Sequence, residues 1–209
     1  MINFYIVRHG QTIFNQKDMV QGWCDSPLTQ TGINQAIGAG IGLNDVSFTH
    51  AYTSISERAY DTACAIIQDQ EIPLTIDKRL KEFGFGMLEG EKNEVLMKPF
   101  HGDFATAIKV GWVKEGGENE KMVRERIRSF FDEVTQHHQD GNILITSHGL
   151  TITAMLKEMV PQDFNLKLLE HGIDNCSVTI IEYDGEYRLK VLNDTTYRDR
   201  GLTSMQSKG

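Results

Sequence analysis

The sequence predicts an α/β protein: a three-layer sandwich whose mostly parallel central sheet carries helices on both faces, with an irregular lid-like insertion at 91–117. Three observations predict it. Two apolar runs, NFYIV (3–7) and NILIT (142–146), are near-continuous rather than alternating, as in strands buried on both faces. Strand-like and helix-like segments alternate along the chain. Near its end, Asp184-Gly185 separates two strand-like runs, a hairpin signal.

The 3–7 strand comes first. Residues 29–43 then place Ile33, Ala36, Ile37 and Ile41 at helical spacing, although Gly38, Gly40 and Gly42 weaken that helix or mark close packing. HAYTS (50–54) predicts a second strand, and 57–69 a helix carrying Ala59, Ala63, Ile66 and Ile67. LTIDKRL (74–80) is expected as a third strand. Residues 91–117 have no period, being broken by Pro99, Gly102, Gly111, Gly116 and Gly117. A helix over 119–138 carries the stripe Val123, Ile127, Phe130, Phe131 and Val134, which is ordinary core packing. The 142–146 strand and a helix over 150–160 lead into the hairpin. Residues 195–209 are polar and expected to fray or lie over the surface. No repeat, low-complexity tract or linker divides the chain, so one domain over 1–209 is expected.

With 40% hydrophobic and 24% charged residues, the composition is that of a soluble globular chain. A formal net charge of -8 disfavours nucleic acid and anionic membrane as partners. A small phosphorylated substrate is compatible with it, because a few local arginines outweigh a weak global field. No run approaches the roughly 18 apolar residues of a membrane span. The opening MINFYIVRHG has neither a basic leader nor a cleavage site, which predicts a cytoplasmic protein. Cys24, Cys64 and Cys176, odd in number and widely spaced, are expected as free thiols, the last two in or near the core.

Two predicted strands end in His-Gly: Arg8-His9-Gly10-Gln11-Thr12 and Ser147-His148-Gly149. Ligands of open α/β sheets sit beyond the carboxyl ends of the strands, where both dipeptides fall. Each glycine lets the backbone turn sharply and approach a ligand. A turn at Gly10 aims Arg8 and His9 at one anion. His50, His101, His137, His138 and His171 lack such placement and are read as ordinary hydrogen-bonded histidines.

At these residues the chain resembles the histidine phosphatase superfamily, the phosphoglycerate-mutase-like fold. RHGQT (8–12) is similar to the family signature, and Asn15 with QGWCDSPLTQTG (21–32) resembles the segment that follows it. YTSISERAYDTA (52–63) resembles the Ser-x-x-x-Arg-Ala element that opens the family's second helix. LKEFGFGMLEG (80–90) is similar to the stretch carrying an acid, ITSHG (145–149) to that with the second histidine, and DNCSVTIIEYD (174–184) to a late strand. The pieces keep the family order over 1–181.

The resemblance implies phosphoryl transfer through His9. That chemistry needs several phosphate oxygens neutralised and the nucleophile in line with the leaving group. Arg8 and Arg58 would supply forks for phosphate oxygens, and His148, Asn15, Gln21, Gly22 and Gly149 would complete the phosphate and substrate pocket. His9 would attack phosphorus as neutral imidazole, a form that neighbouring arginines favour, giving a phosphohistidine. Glu82 would protonate the leaving alkoxide and then activate water. Gln11 and Glu89 read as orienting or capping groups, Trp23 as packing, and residues 91–117 as part of a lid. No cofactor is implied, and no metal either, since two arginines beside the histidines would repel a cation.

The expected function is a metal-independent phosphomonoester hydrolase acting on a small phosphorylated metabolite. Two alternatives stand beside it, a cofactor-dependent phosphoglycerate mutase and a non-catalytic phosphate-binding module. The module would require loss of His9, Glu82 or an arginine, and all are present. A mutase must hold a diacid ester while it reorients, which arginines after the acid provide in the family's mutase branch. Residues 83–117 contain no arginine, and Lys92, Lys98, Lys109 and Lys114 are scattered among acids. Gln21 before Gly22-Trp23 also resembles the phosphatase branch. No signal specifies an oligomeric state.

Overall fold

The computed structural model describes residues 1–68, 70–164 and 172–207. Its strands are β1 (Ile2–Arg8), β2 (Phe48–Thr53), β3 (Leu74–Ile76), β4 (Gly141–Ser147), β5 (Val178–Tyr183) and β6 (Tyr187–Asp194). They form one sheet in the order β3-β2-β4-β1-β5-β6. β3, β2, β4 and β1 run parallel, while β5 is antiparallel to β1 and to β6. The helices are α1 (Ile13–Gln16), α2 (Gln30–Gly42), α3 (Glu57–Ile67), α4 (Asn93–Met97), α5 (Phe104–Val110), α6 (Glu120–His137), α7 (Gly149–Met159) and α8 (Thr196–Gln206).

The apolar runs of β1 and β4 follow from burial on both faces. Phe4, Ile6, Ile143 and Ile145 meet the α6 stripe and Ile152 and Met155 of α7 on one side. Val7 and Leu144 meet Ala36 and Ala39 of α2 and Ile66 of α3 on the other. Each such side chain contributes about 1.5–3 kcal/mol. Helix starts follow the sequence closely: Thr29 caps Gly32 N–H at 3.0 Å and Asn119 caps Met122 N–H at 3.0 Å.

Two expectations need correction. The third strand stops at Ile76, because Asp77 accepts from Arg79 N–H at 2.7 Å and turns 78–80 into a 3-10 helix. Residues 91–117 are not without structure: they fold as α4 and α5 with 3-10 turns at Lys98–Phe100 and Val113–Glu115. Of the two expectations for the polar tail, residues 196–206 follow the second: they form α8, which lies across α2. Backbone meets backbone there: a Cβ on Gly42 would sit 1.9 Å from Tyr197 O, and one on Gly201 1.9 Å from Gly38 O. The glycines of α2 are therefore packing residues. Of the cysteines, Cys176 is buried and Cys24 and Cys64 are partly exposed, all three as free thiols. Among the described residues no helix is long and apolar enough to cross a membrane.

Candidate active site

β1 and β4 pair with Arg8 opposite Ser147, so both His-Gly dipeptides leave the sheet side by side at its carboxyl edge. His9 N–H extends the ladder to Ser147 O at 3.0 Å. The two rings stand 5.2 Å apart, centroid to centroid. β2 ends beside β4, which brings Ser54 and Ser56 to His148, and α3 then carries Arg58 in its first turn.

His9 is 3% exposed, and its Nδ1 lies 2.8 Å from Gly10 O. A carbonyl only accepts, so Nδ1 carries the proton and Nε2 a lone pair. Burial, then the Arg58 and Arg8 charges, hold this imidazole well below the usual histidine range, so it is neutral. His148 is fully buried and likewise depressed, by burial first and the Arg58 charge second. Its Nε2 meets Ser54 Oγ at 2.8 Å and Ser56 Oγ at 3.2 Å, and its Nδ1 has no partner.

Arg58 is 1% exposed and heavily committed. Nη1 donates to Cys24 O at 3.0 Å and Asp25 Oδ1 at 2.8 Å, and Nη2 to Gly22 O at 2.8 Å. Of the five guanidinium N–H groups, Nε–H and one on Nη2 remain. Arg8 donates through Nη1 to Ile173 O, and its Nε is also unpartnered. Glu82 sits at the N-terminus of α7. Its Oε1 accepts from Phe83 N–H (2.8 Å), Thr151 N–H (3.0 Å) and Thr151 Oγ (3.1 Å), and its Oε2 only from Leu150 N–H (3.2 Å).

Arg8, His9, Asn15, Gln21, Arg58 and Glu82 share one cavity of about 290 Å³, to which Gly22 also contributes. Asn15 Oδ1 accepts from Thr12 N–H at 3.1 Å, and the residue lines the cavity. Gln21 Oε1 accepts from Thr12 Oγ at 2.9 Å. His148 stands beside His9 without lining that cavity, and Gly149 lines an adjoining compartment of about 190 Å³ that shares Arg8 and Glu82. Gly10 also carries a packing constraint, since a Cβ there would lie 2.4 Å from Gly32 O. Glu89 orients the loop as expected, accepting from Trp23, Cys24 and Phe85 N–H groups. Gln11 accepts from the Thr29 hydroxyl at 2.9 Å. Trp23 is 44% exposed; its Nε1 donates to Glu82 O at 2.9 Å and Lys81 Nζ sits 3.3 Å above its ring. His171 lies outside the described residues.

Sequence reasoning missed the groups that hold these side chains. Asp25 and Ser54 lie inside the quoted motifs and were accessible to it. Thr62 Oγ accepts from Gly10 N–H at 3.1 Å and donates to Arg58 O at 2.7 Å, tying the two arginine-bearing segments together. Glu118 and Arg126 form a buried pair, Nε to Oε1 and Nη2 to Oε2 at 3.0 Å each. Arg126 Nη2 also donates to Glu82 O at 3.0 Å, and Glu118 accepts from Gly84 N–H at 3.1 Å. Nothing in the sequence distinguishes these two from surface charges. Among the described residues, no cluster of three or more His, Cys, Asp or Glu is placed to hold a metal.

A family model described as histidine phosphatase superfamily (branch 1) matches residues 4–195. A probable phosphoglycerate mutase of Salmonella choleraesuis is 29% identical over 88% of this chain and 86% of its own. The solved structure of a phosphoglycerate mutase from Bacillus anthracis superposes with a TM-score of 0.84 at 29% identity, covering 96% of each chain. A putative alpha-ribazole-5'-P phosphatase from Escherichia coli superposes with a TM-score of 0.79 at 26% identity, covering 93% and 97%.

Proposed function

The chain belongs to the histidine phosphatase superfamily, branch 1, and from that premise we propose that it is a phosphomonoester hydrolase working through a phosphohistidine on His9. One observation carries the reading. Among the described residues, the buried side-chain N or O atoms without a partner are Arg8 Nε, Arg58 Nε and His148 Nδ1. All three belong to this one cluster. A buried donor left unpaired costs about 1–3 kcal/mol, so the cluster is built for an acceptor that the chain does not supply. A phosphate dianion is such an acceptor.

In this reading neutral His148 carries its proton on Nδ1, its Nε2 accepts from the Ser54 hydroxyl 2.8 Å away, and the Nδ1–H is the donor offered to the anion. In the first step the His9 Nε2 lone pair forms the P–N bond as the P–O bond to the alcohol breaks. Glu82 enters this step protonated on Oε2, the oxygen with a single donor, and gives that proton to the departing alkoxide, becoming a carboxylate. In the second step water attacks phosphorus and passes its proton to Glu82. The P–N bond then breaks, and neutral His9 and inorganic phosphate result.

A phosphoglycerate mutase is the second reading, favoured by the names of the relatives. Against it, Arg8 and Arg58 are the cations that line the cavity among the described residues, and in this reading both would be taken up by the transferred phosphate. A diacid intermediate would have no further cation to hold it. The test is 3-phosphoglycerate with 2,3-bisphosphoglycerate, compared with simple monoesters. Phosphate release should dominate; interconversion to 2-phosphoglycerate running much faster than release overturns the hydrolase reading.

A further inference from the structure

We propose that the alcohol half of the substrate is uncharged and largely apolar, an aryl or branched alkyl group; this rests on the phosphate-binding reading above. Beyond the phosphate-facing residues, the walls come from three segments. Met19 and Val20 follow α1, Phe85 follows Glu82, and Leu96, Met97 and Phe104 come from α4 and α5. The remaining amides are each tied to protein at one end: Gln21 Oε1 accepts from Thr12 Oγ, and Asn93 Nδ2 donates to Asp18 Oδ1 at 2.6 Å. The one carboxylate in the wall, Glu82, would repel a second.

The lysines that could have answered a charged substrate face elsewhere. Lys92 Nζ donates to Lys17 O at 2.7 Å, and Lys109 lies in a separate cleft beside Glu120 and Arg124. Lys98 and Lys114 are not among the lining residues. A carboxylate drawn in here would shed water with nothing to replace it, whereas each methylene buried would favour binding about fourfold. The apolar wall is preformed. Val20 and residues 90–91 exchange backbone bonds of 2.8 Å each way, fastening the root of the insertion to the loop after α1. The adjoining compartment of about 190 Å³, shared at Phe104 and Leu150 and walled by Thr153 and Ile173, gives the group room to extend.

The test is calorimetric binding of two non-hydrolysable phosphonates of matched length, 3-phenylpropylphosphonate and 3-carboxypropylphosphonate. Binding needs no turnover, so failure here is distinct from failure of the hydrolase reading, which phosphate release tests. The phenyl compound should bind about ten- to hundredfold more tightly, from the burial of one ring. Met97→Arg, on a half-buried position, should narrow or reverse that ratio by about tenfold or more. Phe104→Ser should weaken only the phenyl compound. Equal or tighter binding of the carboxypropyl compound to the wild type, or a ratio unmoved in both variants, overturns the proposal.

Discussion

Glu118→Ala is the sharpest test of how Glu82 is held. The Glu118 side chain is 8% exposed and that of Arg126 16%, and two bonds of 3.0 Å join them. Removing the acid strands a largely buried guanidinium and takes the acceptor from Gly84 N–H. Breaking a buried pair from one side costs about 3–5 kcal/mol. Arg126 retains the carbonyls of Arg79 and Glu82, which favours the lower end, about 3 kcal/mol. Against a total of about 5–15 kcal/mol this is a large fraction. Urea unfolding of both proteins should show the midpoint falling with an unchanged slope. The double variant Glu118→Ala/Arg126→Met has no unpaired buried charge, so it should be less destabilised than the sum of its singles by about 1 kcal/mol or more. A loss below about 1 kcal/mol for the single variant, or strict additivity in the double, would refute the clamp.

Glu82→Gln should lower kcat/KM for alkyl phosphates by about 10²–10⁴-fold and far less for aryl phosphates, whose leaving groups need little protonation; equal losses would leave Glu82 a structural cap of α7. Stability should depend on pH through His9 and His148. Both are depressed in the folded state, so the unfolded chain takes up their protons first; stability is full above about pH 6.5 and declines as pH falls below it. Between pH 7.5 and 5.5 each histidine should cost at most about 1.4 kcal/mol, the limit set by its unfolded value, with half-buried His50 and His138 adding in the same direction. Urea midpoints that stay flat across that window would sink the assignment of two neutral buried imidazoles.

How much was legible follows the physics of each element. β1 and β4 are buried on both faces and therefore read as apolar runs, and their register alone brings His9 and His148 together. The insertion was opaque because α4, between Gly90 and Pro99, and α5, between Gly102 and Gly111, are too short to show a period. α8 was opaque for a different reason: Gly201 is its one fully buried residue, and much of its contact with α2 is backbone, which a hydrophobic pattern does not report. At the site, the residues expected around phosphate do share the cavity, apart from His148 and Gly149. The groups that orient them were silent, because Glu118 and Arg126 acquire meaning only when the fold removes them from water.

The α2–α8 contact also bears on how the chain assembles during synthesis. A helix with glycine at 38, 40 and 42 has weak intrinsic propensity, each glycine costing about 1 kcal/mol relative to alanine. Its partner lies about 150 residues downstream. At ribosomal speeds of about 5–20 residues per second, α2 waits roughly ten to thirty seconds for α8 to be made. Meanwhile the β1–β4 pairing is already available, since β4 is made first. The active-site edge of the sheet can thus form around an α2 that is still loose, and docking of α8 becomes the closing event, sealed by backbone contact at Gly38, Gly42 and Gly201.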